Sequence, residues 1–263
     1  MVELTAGYDV ALITFYVFVV FFIGLVVYLQ RESRREGFPL ENDAGEKNAP
    51  SFTFTPGPKT FHMPHGRGTV EAPNQKVDSV AAAGNIKGEH MGFEGTPWRP
   101  TSENPMLDGI GPGAWTERAD VPDPLHDGRP KIVPMRADET VTIAEGDVDP
   151  RGLRVVGCDS IVAGRVKDVW VDRMEHMARF LEIETEVGEA PRSVLVPMNF
   201  CVVKTPRDRE KVFYVHAITG EQFAMVPGTR KDDEITLLEE EKIMAYYGAG
   251  LLYATPARQE AYL

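Results

Sequence analysis

The amino-acid sequence predicts a single N-terminal transmembrane helix, a long irregular segment, a mainly-β cytoplasmic domain built as a small β-barrel, and a short C-terminal helix. Three observations predict this class. An uncharged apolar run occupies residues 10–29, fifteen of the 20 prolines lie between Arg31 and Pro150, and apolar residues follow a period of two from about Gly152. The 263 residues leave about 230 beyond the span, enough for one substantial domain or two small ones.

The predicted span, "VALITFYVFVVFFIGLVVYL", contains Thr14 as its one strongly polar side chain. At about 1.5 Å per residue, a helix of this length crosses the roughly 30 Å hydrocarbon core of a bilayer. A cleaved signal peptide fits less well, because no Lys or Arg precedes the run and "QRESRREG" is no small-residue cleavage site. A buried helix of a soluble protein would need a large surrounding core. We therefore expect a retained membrane span.

The charges after the span predict its orientation. Arg31, Arg34 and Arg35 follow the apolar run directly, whereas residues 1–9 hold no Lys or Arg. Because cytoplasmic flanks of membrane helices are enriched in these residues, the chain after the span is predicted to be cytoplasmic and residues 1–9 to lie on the opposite side. We expect the three arginines to fix the helix at the cytoplasmic interface.

Residues 30–150 form the predicted irregular segment. Their high proline content excludes long regular elements, and stretches such as "TPGPKTFHMPHGRGT" lack both the helical and the strand period. Isolated apolar residues, among them Phe61, Trp98 and Trp115, nevertheless punctuate the segment, and disordered chains usually lack these. This composition indicates a segment that lies extended over another surface, which can belong to another subunit.

Residues 151–240 form the predicted β domain. Short runs such as "IVAGRVKDVWVD" and "SVLVPMNFCVVKT" alternate between turns, and five or six such strands favour a small antiparallel barrel. A last strand is predicted near Ile235 to Leu238. Residues 241–263 are predicted as a short helix that ends near Gly248, followed by a docked tail.

Composition and motifs exclude several function classes. The net charge of −12 argues against a nucleic-acid partner. The two cysteines, Cys158 and Cys201, lie in apolar contexts, which favours buried thiols over a redox pair. Walker, Rossmann, G-x-S-x-G, C-x-x-C and H-E-x-x-H motifs are all missing, so an autonomous enzyme is disfavoured. His62 and His65 form H-x-x-H around a proline, which favours a solvated loop over a metal site.

Two clusters of titratable residues stand out. "PLHDGRPK" gathers His126, Asp127, Arg129 and Lys131 in a loop. "VKDVWVDRMEHMARFLE" is expected to crowd charge at the turn between two apolar strands, through Asp168, Asp172, Glu175, His176 and Arg179. Such charges usually solvate a hairpin. At a protein interface, however, desolvation and like charges can raise the pKa of a carboxylate, which suits it to passing protons near neutral pH.

Several motifs, in order along nearly the whole chain, resemble the H subunit of the photosynthetic reaction centre of purple bacteria. They are "REGFPLE", "PKTFHMPHGRGT", "NPMLDGIGPGAW", "KIVPM", "GCDSIVAGRVKDVWVDRMEHMARFLEIE" and "EITLLEEEKIMAYYGAGLLYA". The resemblance implies a PRC-type barrel and a non-catalytic subunit. In this family the H subunit caps the cytoplasmic face of the L and M subunits, stabilises the complex and supplies part of the proton path to the secondary quinone.

The resemblance also implies the surroundings of the chain. L and M would hold bacteriochlorophyll, bacteriopheophytin, ubiquinone and the non-haem iron, so no cofactor or metal is expected on this chain alone. The location would be the bacterial inner, or intracytoplasmic, membrane, with residues 1–9 in the periplasm. Membrane lipid is a further expected partner, and light-harvesting antenna and cytochrome subunits could share the complex.

Carried over by motif, Asp172 and Glu175 correspond to proton-path carboxylates of the family, and Arg179 is expected as their neighbour at the L/M interface. The loop departs from the family pattern D-x-H-x-H. Here "LHDGR" supplies His126 and Asp127 for proton uptake, with Arg129 at the place of the second histidine, so metal inhibition at this loop is not expected. Phe38 stands where some relatives have tyrosine, which removes a hydroxyl group at the membrane surface.

Two other classes remain open from the sequence: a membrane-tethered barrel that serves as the scaffold of another complex, and a tethered hydrolase without a recognisable motif. Purification separates them. Pigmented L and M subunits in the preparation support the H-subunit interpretation, a colourless complex supports the scaffold, and activity of the isolated chain supports the enzyme.

Overall fold

The computed structural model describes residues 9–36, 56–64, 66, 68–74, 87–91, 97–205 and 210–259. The chain divides into two compact units, one formed by residues 1–85 with 92–96 and the other by residues 86–91 with 97–263. The described residues form two α-helices, α1 (Val10–Glu32) and α2 (Leu237–Tyr253). They also form eleven strands: β1 Lys59–His62, β2 Thr69–Ala72, β3 Gly88–His90, β4 Trp98–Pro100, β5 Ile132–Pro134, β6 Arg154–Val156, β7 Val162–Asp172, β8 Met177–Thr185, β9 Ser193–Pro197, β10 Cys201–Lys204 and β11 Val212–Val215.

Helix α1 begins at a side-chain cap and has no buried residue. The carboxylate of Asp9 accepts hydrogen bonds from the backbone N–H groups of Ala11 (2.9 Å) and Leu12 (3.2 Å), which satisfies two donors at the helix start. Apolar side chains cover the helix all round and are exposed. A helix of this kind is stable in a membrane rather than in water. Among the described residues, it is the one helix long and apolar enough to span a bilayer.

The first unit also contains the antiparallel hairpin β1–β2. Its register pairs Lys59 with Ala72 and His62 with Thr69. Arg35, in the 3-10 turn Ser33–Arg35 that follows α1, donates hydrogen bonds to the carbonyl oxygens of Gly57 (2.8 Å) and Ala72 (3.1 Å). The hairpin is therefore attached by its open end to the end of the apolar helix.

The second unit is built on a seven-stranded sheet in the order β10-β11-β6-β7-β8-β9, with β5 also paired to β7. All its strand pairs are antiparallel except β11 with β6, which are parallel. The predicted antiparallel barrel therefore differs from the structure at this one pair. Strand β5 comes from residues assigned to the irregular segment. A strand of three residues is too short to display a period of two, which is why the sequence pattern missed it.

Strands β7 and β8 form the centre of the sheet, and consecutive residues of both strands are buried, so both faces of the pair are covered there. Trp170 in β7 and Leu181 in β8 are 1% exposed, and Ile183 is completely buried. Two bulges shift the β7–β8 register, one between Val166 and Asp168 and one between Trp170 and Val171. They lie on either side of the stretch Asp168 to Trp170, and the strand pair ends at Asp172, which lies opposite Met177.

Helix α2 replaces the strand predicted near Ile235 to Leu238. Thr236 accepts a hydrogen bond from the Glu239 N–H (3.1 Å), while the Glu239 carboxylate accepts from the Thr236 N–H (2.9 Å). This capping box starts a helix where the apolar residues suggested a strand. The helix runs to Tyr253 rather than ending near Gly248, and it buries Ile243, Tyr246 and Tyr247.

Glycines in α2 allow two backbone segments to approach the helix. A Cβ at Gly248 would lie 2.8 Å from the carbonyl oxygen of Pro112, and a Cβ at Gly250 would lie 2.5 Å from Ile218 and 2.7 Å from the carbonyl oxygen of Ala217. Gly248 is thus a packing residue inside the helix and not its cap. The predicted class, an apolar N-terminal helix with a mainly-β domain and a short C-terminal helix, is confirmed.

Candidate functional site

The turn between β7 and β8 is organised by Asp172. One carboxylate oxygen, Oδ1, accepts hydrogen bonds from the backbone N–H groups of Met174 (2.9 Å) and Glu175 (3.0 Å). His176 completes the turn with φ of 53°, in the left-handed region. Asp172 therefore has a structural role in this turn before any chemical role is considered.

The second oxygen of Asp172 faces two cations. Its Oδ2 lies 3.2 Å from Lys131 Nζ and 3.4 Å from Arg179 Nε, and the side chain is 0% exposed. Burial by itself would raise the pKa of Asp172, but the two backbone N–H donors and the Lys131 ammonium group outweigh it and lower the pKa. Asp172 is therefore ionised at neutral pH and does not have the raised pKa that would suit a carboxylate to passing protons.

Glu175 shares both cations and reaches solvent. Its carboxylate lies 3.3 Å from Arg179 Nη2 and 3.8 Å from Lys131 Nζ, and 47% of the side chain is exposed. The two carboxylates thus differ in environment: Asp172 contacts the cations from the protein interior, and Glu175 contacts them from the solvent side. A group that contacts both solvent and a buried ion pair is placed to exchange protons with water.

Lys131 is held in place by the chain on both sides of it. Its backbone N–H donates a hydrogen bond to the carbonyl oxygen of Asp123 (2.7 Å), and its backbone carbonyl oxygen accepts one from the backbone N–H of Arg173 (3.0 Å). The next residue, Ile132, pairs directly with Asp172 across β5 and β7. Strand β5, which the sequence pattern missed, is what brings the lysine to the β7–β8 turn.

Glu240 joins the same electrostatic environment from the first turn of α2, and the sequence analysis did not select it. The Leu237 N–H donates to the carbonyl oxygen of Val121 (3.0 Å), so the start of the helix lies against the segment that contains Asp123. Burial raises the pKa of Glu240 to about 7, and the charge of Asp123 acts in the same direction. Arg179 and Lys131 oppose that shift, which means that the two cations act on Glu240 as well.

A signal for Glu240 was present but ambiguous. It lies in the acidic run "LLEEEK" at a helix start, where carboxylates are common because they favour the positive end of the helix dipole. Its neighbour Glu239 has that ordinary role in the capping box. The effect of the Asp123 charge on its pKa distinguishes Glu240, and it does not follow from local sequence.

The loop with His126 and Asp127 is a tight exposed hairpin that leads into Lys131. The Leu125 N–H donates to the Arg129 carbonyl oxygen (2.8 Å), and Pro124 pairs with Pro130. Asp127 accepts from the backbone N–H (3.0 Å) and the guanidinium group (2.7 Å) of Arg129, and these two bonds lower the pKa of Asp127. His126 is exposed.

Asp168 is not part of the turn, contrary to expectation. It lies in β7, buried, and its carboxylate accepts from the backbone N–H (3.2 Å) and the guanidinium group (3.0 Å) of Arg136. Arg136 also pairs with buried Glu182, which accepts from Trp170 Nε1 (3.0 Å) and pairs with Lys167 Nζ (2.8 Å). Burial alone would raise the pKa of Glu182, but these partners lower it. This second network supports the β7–β8 pair and is separate from the Asp172 group.

The remaining candidate residues are placed as follows. Within the part of the chain that the structure describes, no three His, Cys, Asp or Glu side chains form a group that could hold a metal ion. His62 ends β1, while His65 and Phe38 lie outside the described residues. Both cysteines are free thiols. Cys201 opens β10, whereas Cys158 lies in a loop, and burial raises the pKa of Cys201 to about 12.

The three arginines after the apolar run also differ from one another. Arg31 lies in the last turn of α1, and Arg34 and Arg35 lie in the following 3-10 turn. Arg35 forms an ion pair with Glu32 (2.8 Å) in addition to its hydrogen bonds to the hairpin, and only 14% of its side chain is exposed. It therefore connects two parts of the protein and does not simply present its charge to lipid.

Two family models match the chain. Residues 2–137 match the photosynthetic reaction centre, H-chain N-terminal region, and residues 143–222 match the PRC-barrel domain. Asp123 and Lys131 fall in the first match, and Asp172, Glu175 and Arg179 fall in the second. The cluster is thus assembled from both matched regions, with Glu240 supplied by the helix that follows them.

Proposed function

Since this chain belongs to the H-chain family of the photosynthetic reaction centre, whose members are non-catalytic subunits, we propose that it caps the cytoplasmic face of the L and M subunits and conducts protons towards the secondary quinone. Association with L and M follows from the family. The apolar helix fits a membrane-anchored protein. The pigments, quinones and iron are assigned in this proposal to L and M.

One observation carries the proton-transfer proposal: the half-exposed carboxylate of Glu175 lies 3.3 Å from Arg179 Nη2 and 3.8 Å from Lys131 Nζ, and the charges of these same two cations act on the pKa of Glu240. Reduction of a quinone to a quinol consumes two protons, which must cross protein to reach a pocket shielded from water. Carboxylates suit this task when their pKa lies near the working pH, because they then accept and release protons with little free-energy cost. A pKa of about 7 gives Glu240 that property.

The neighbouring residues take different roles in the proposal. Asp172, with its lowered pKa, remains an anion that holds Lys131 and Arg179 in position. Glu175 receives protons from solvent, since half of its side chain is exposed. Glu240 is the carrier with the matched pKa. His126, at the tip of the exposed loop before Lys131, is proposed as a proton donor at the surface, and Asp127 holds that loop through Arg129.

The test is flash-induced electron transfer in the complete reaction centre. Glu175→Gln and Glu240→Gln keep the side-chain shape but remove the titrating group. We expect the first electron transfer to the secondary quinone to survive and the second, proton-coupled transfer to slow by roughly ten-fold, on the scale of general acid–base catalysis. Because the pKa of Glu240 is about 7, the effect of Glu240→Gln should be greatest near that pH.

Glu186→Gln is the matched control, because Glu186 is exposed and lies 3.5 Å from Arg165, in a different ion pair. If Glu175 and Glu240 serve one path, the double variant should be slowed by less than the product of the single effects. Unchanged second-transfer rates in both single variants, at every pH tested, would leave these residues as surface charge. A preparation without pigmented L and M subunits would instead contradict the assembly proposal.

A further inference from the structure

The hairpin β1–β2 has one apolar and one polar face. Paired residues of an antiparallel ladder project to the same side, and successive pairs alternate. Phe61 therefore shares a face with Val70, and the pairs Thr60–Glu71 and His62–Thr69 project to the other. Phe61 is 39% and Val70 49% exposed.

A cation accompanies the apolar face. Lys59 lies on the Phe61 side of the hairpin, with Nζ 5.5 Å from the centre of the Phe61 ring. Met63 follows Phe61 by two residues and is 37% exposed. The one carboxylate of the two strands, Glu71, projects from the opposite face. This side of the hairpin thus combines an apolar surface with positive charge and excludes negative charge.

The position of the hairpin in its unit is set by Arg35. Its guanidinium group binds Glu32, in the last turn of α1, and the carbonyl oxygens of Gly57 and Ala72, which lie at the open end of the hairpin. A span of this length reaches the headgroup region at its ends. Arg35 therefore connects the open end of the hairpin to the end of α1, where the chain would leave the hydrocarbon core.

We propose that the β1–β2 hairpin is a second membrane anchor, whose apolar face lies in the boundary between acyl chains and headgroups and whose Lys59 binds anionic headgroups. Interfacial helices bind membranes through buried apolar side chains such as Trp, Phe and Leu and through the attraction of Lys or Arg to anionic lipids, and this hairpin offers both kinds of interaction. The four side chains of this face offer far less surface than the roughly 800 Å² that each partner contributes to a standard protein interface. Contact with lipid does not require such a large buried area, because α1 would already place the hairpin at the membrane surface.

The test uses neighbouring residues that project from opposite faces. The full chain, with both native cysteines replaced by alanine, is placed in lipid nanodiscs of phosphatidylcholine and phosphatidylglycerol. A nitroxide label is attached at Val70→Cys or, as matched control, at Glu71→Cys. We expect the label at position 70 to collide with oxygen several-fold more often than with a water-soluble nickel complex, and the label at 71 to show the reverse preference.

Lipid charge gives a second readout. Replacing phosphatidylglycerol with phosphatidylcholine, or making Lys59→Gln, should reduce the oxygen preference at position 70. Equal access of the nickel complex to both labels in nanodiscs would overturn the proposal. So would a label at position 70 that is water-accessible in nanodiscs and becomes inaccessible to both reagents only when L and M are present, because a protein surface would then cover the face.

Discussion

At the scale of single residues, burial alone does not decide which carboxylate can carry a proton. Asp172 is completely buried, yet its pKa is lowered because two backbone N–H groups and the Lys131 ammonium group outweigh the effect of burial. Glu240 is partly buried beside another carboxylate, and its pKa rises to about 7. Burial favours the neutral form of both carboxylates, and the partners that tertiary structure supplies decide whether that effect is outweighed, as for Asp172, or reinforced by another carboxylate, as for Glu240.

The raised pKa of Glu240 predicts an effect on stability. The folded pKa of about 7 exceeds the ordinary value of 4.5, so the folded state binds the proton more tightly and stability falls as pH rises between these values. Glu240→Gln lacks this loss. Relative to the natural chain, the variant should gain about 1–2 kcal/mol of stability between about pH 4.5 and about pH 7, once partial solvent screening is allowed for. Above about pH 7 the difference should stay constant.

The measurement is denaturant unfolding of the full chain in detergent, followed through buried Trp170 across this pH range. Glu186→Gln is the control, because Glu186 is exposed and pairs with Arg165 (3.5 Å), in a different ion pair. For Glu186→Gln, the difference in stability from the natural chain should stay nearly constant across this pH range. If the difference in unfolding free energy between Glu240→Gln and the natural chain also stayed constant with pH, the assignment of a titrating group at this position would be contradicted.

Asp172→Asn should behave in the opposite sense. The lowered pKa means that ionised Asp172 stabilises the fold above its ordinary pKa of 3.8, and that this contribution is lost as pH falls through the folded pKa. Asparagine still accepts the two N–H bonds but leaves Lys131 and Arg179 with Glu175 as their remaining anionic partner in this cluster. We expect a loss of about 1–3 kcal/mol at pH 7 that shrinks below about pH 4, measured by the same unfolding experiment. A loss that is independent of pH would point to packing alone.

At the scale of elements, close packing decides what short sequence patterns leave open. Strand β5 has only three residues and shows no period, yet its pairing with β7 brings the preceding residue, Lys131, to the turn. Helix α2 continues through "GAG", which resembles a helix end in sequence. Its glycines remain helical because two backbone segments occupy the space that side chains would fill.

Gly250→Ala tests this packing. Although alanine is the better helix former by about 1 kcal/mol, its Cβ would lie 2.7 Å from the Ala217 carbonyl oxygen, so the backbone must shift. We expect a net destabilisation of about 1–3 kcal/mol in denaturant unfolding. Leu251→Ala is the control on the same helix, because Leu251 is 48% exposed. Stabilisation by Gly250→Ala would show that the segment at Ala217 yields easily.

At the scale of the whole molecule, the chain joins an apolar helix to a domain that assembles its charged cluster from distant parts of the sequence. Lys131 and Asp172 form an ion pair where β5 meets β7, and the charges of Asp123 and Lys131 act on Glu240 in the first turn of α2, more than a hundred positions away in sequence. Although the chain carries a net charge of −12, the buried carboxylate of this site, Asp172, is paired with two cations, Lys131 and Arg179.

The orientation predicted from Arg31, Arg34 and Arg35 has a direct test. Protease added to inside-out membrane vesicles should digest the large domain, because the positive-inside rule predicts that the residues after the span face the cytoplasm. Right-side-out vesicles serve as the control, and there only residues 1–9 should be accessible. Digestion of the large domain in right-side-out vesicles would reverse the assignment.

Sequence by itself determined the features that depend on local composition: the apolar helix from its uncharged run, the change to a period of two in the β domain, and the family from motifs spread along the chain. It also pointed to the turn with Asp172 and Glu175, because charge between two apolar strands is visible without a structure. Tertiary structure decided which charges meet. Asp168 pairs with Arg136, Asp172 with Lys131 and Arg179, and Glu240 lies beside Asp123. Pairing across strands and burial by distant segments set these environments, and a pKa depends on the environment rather than on residue type.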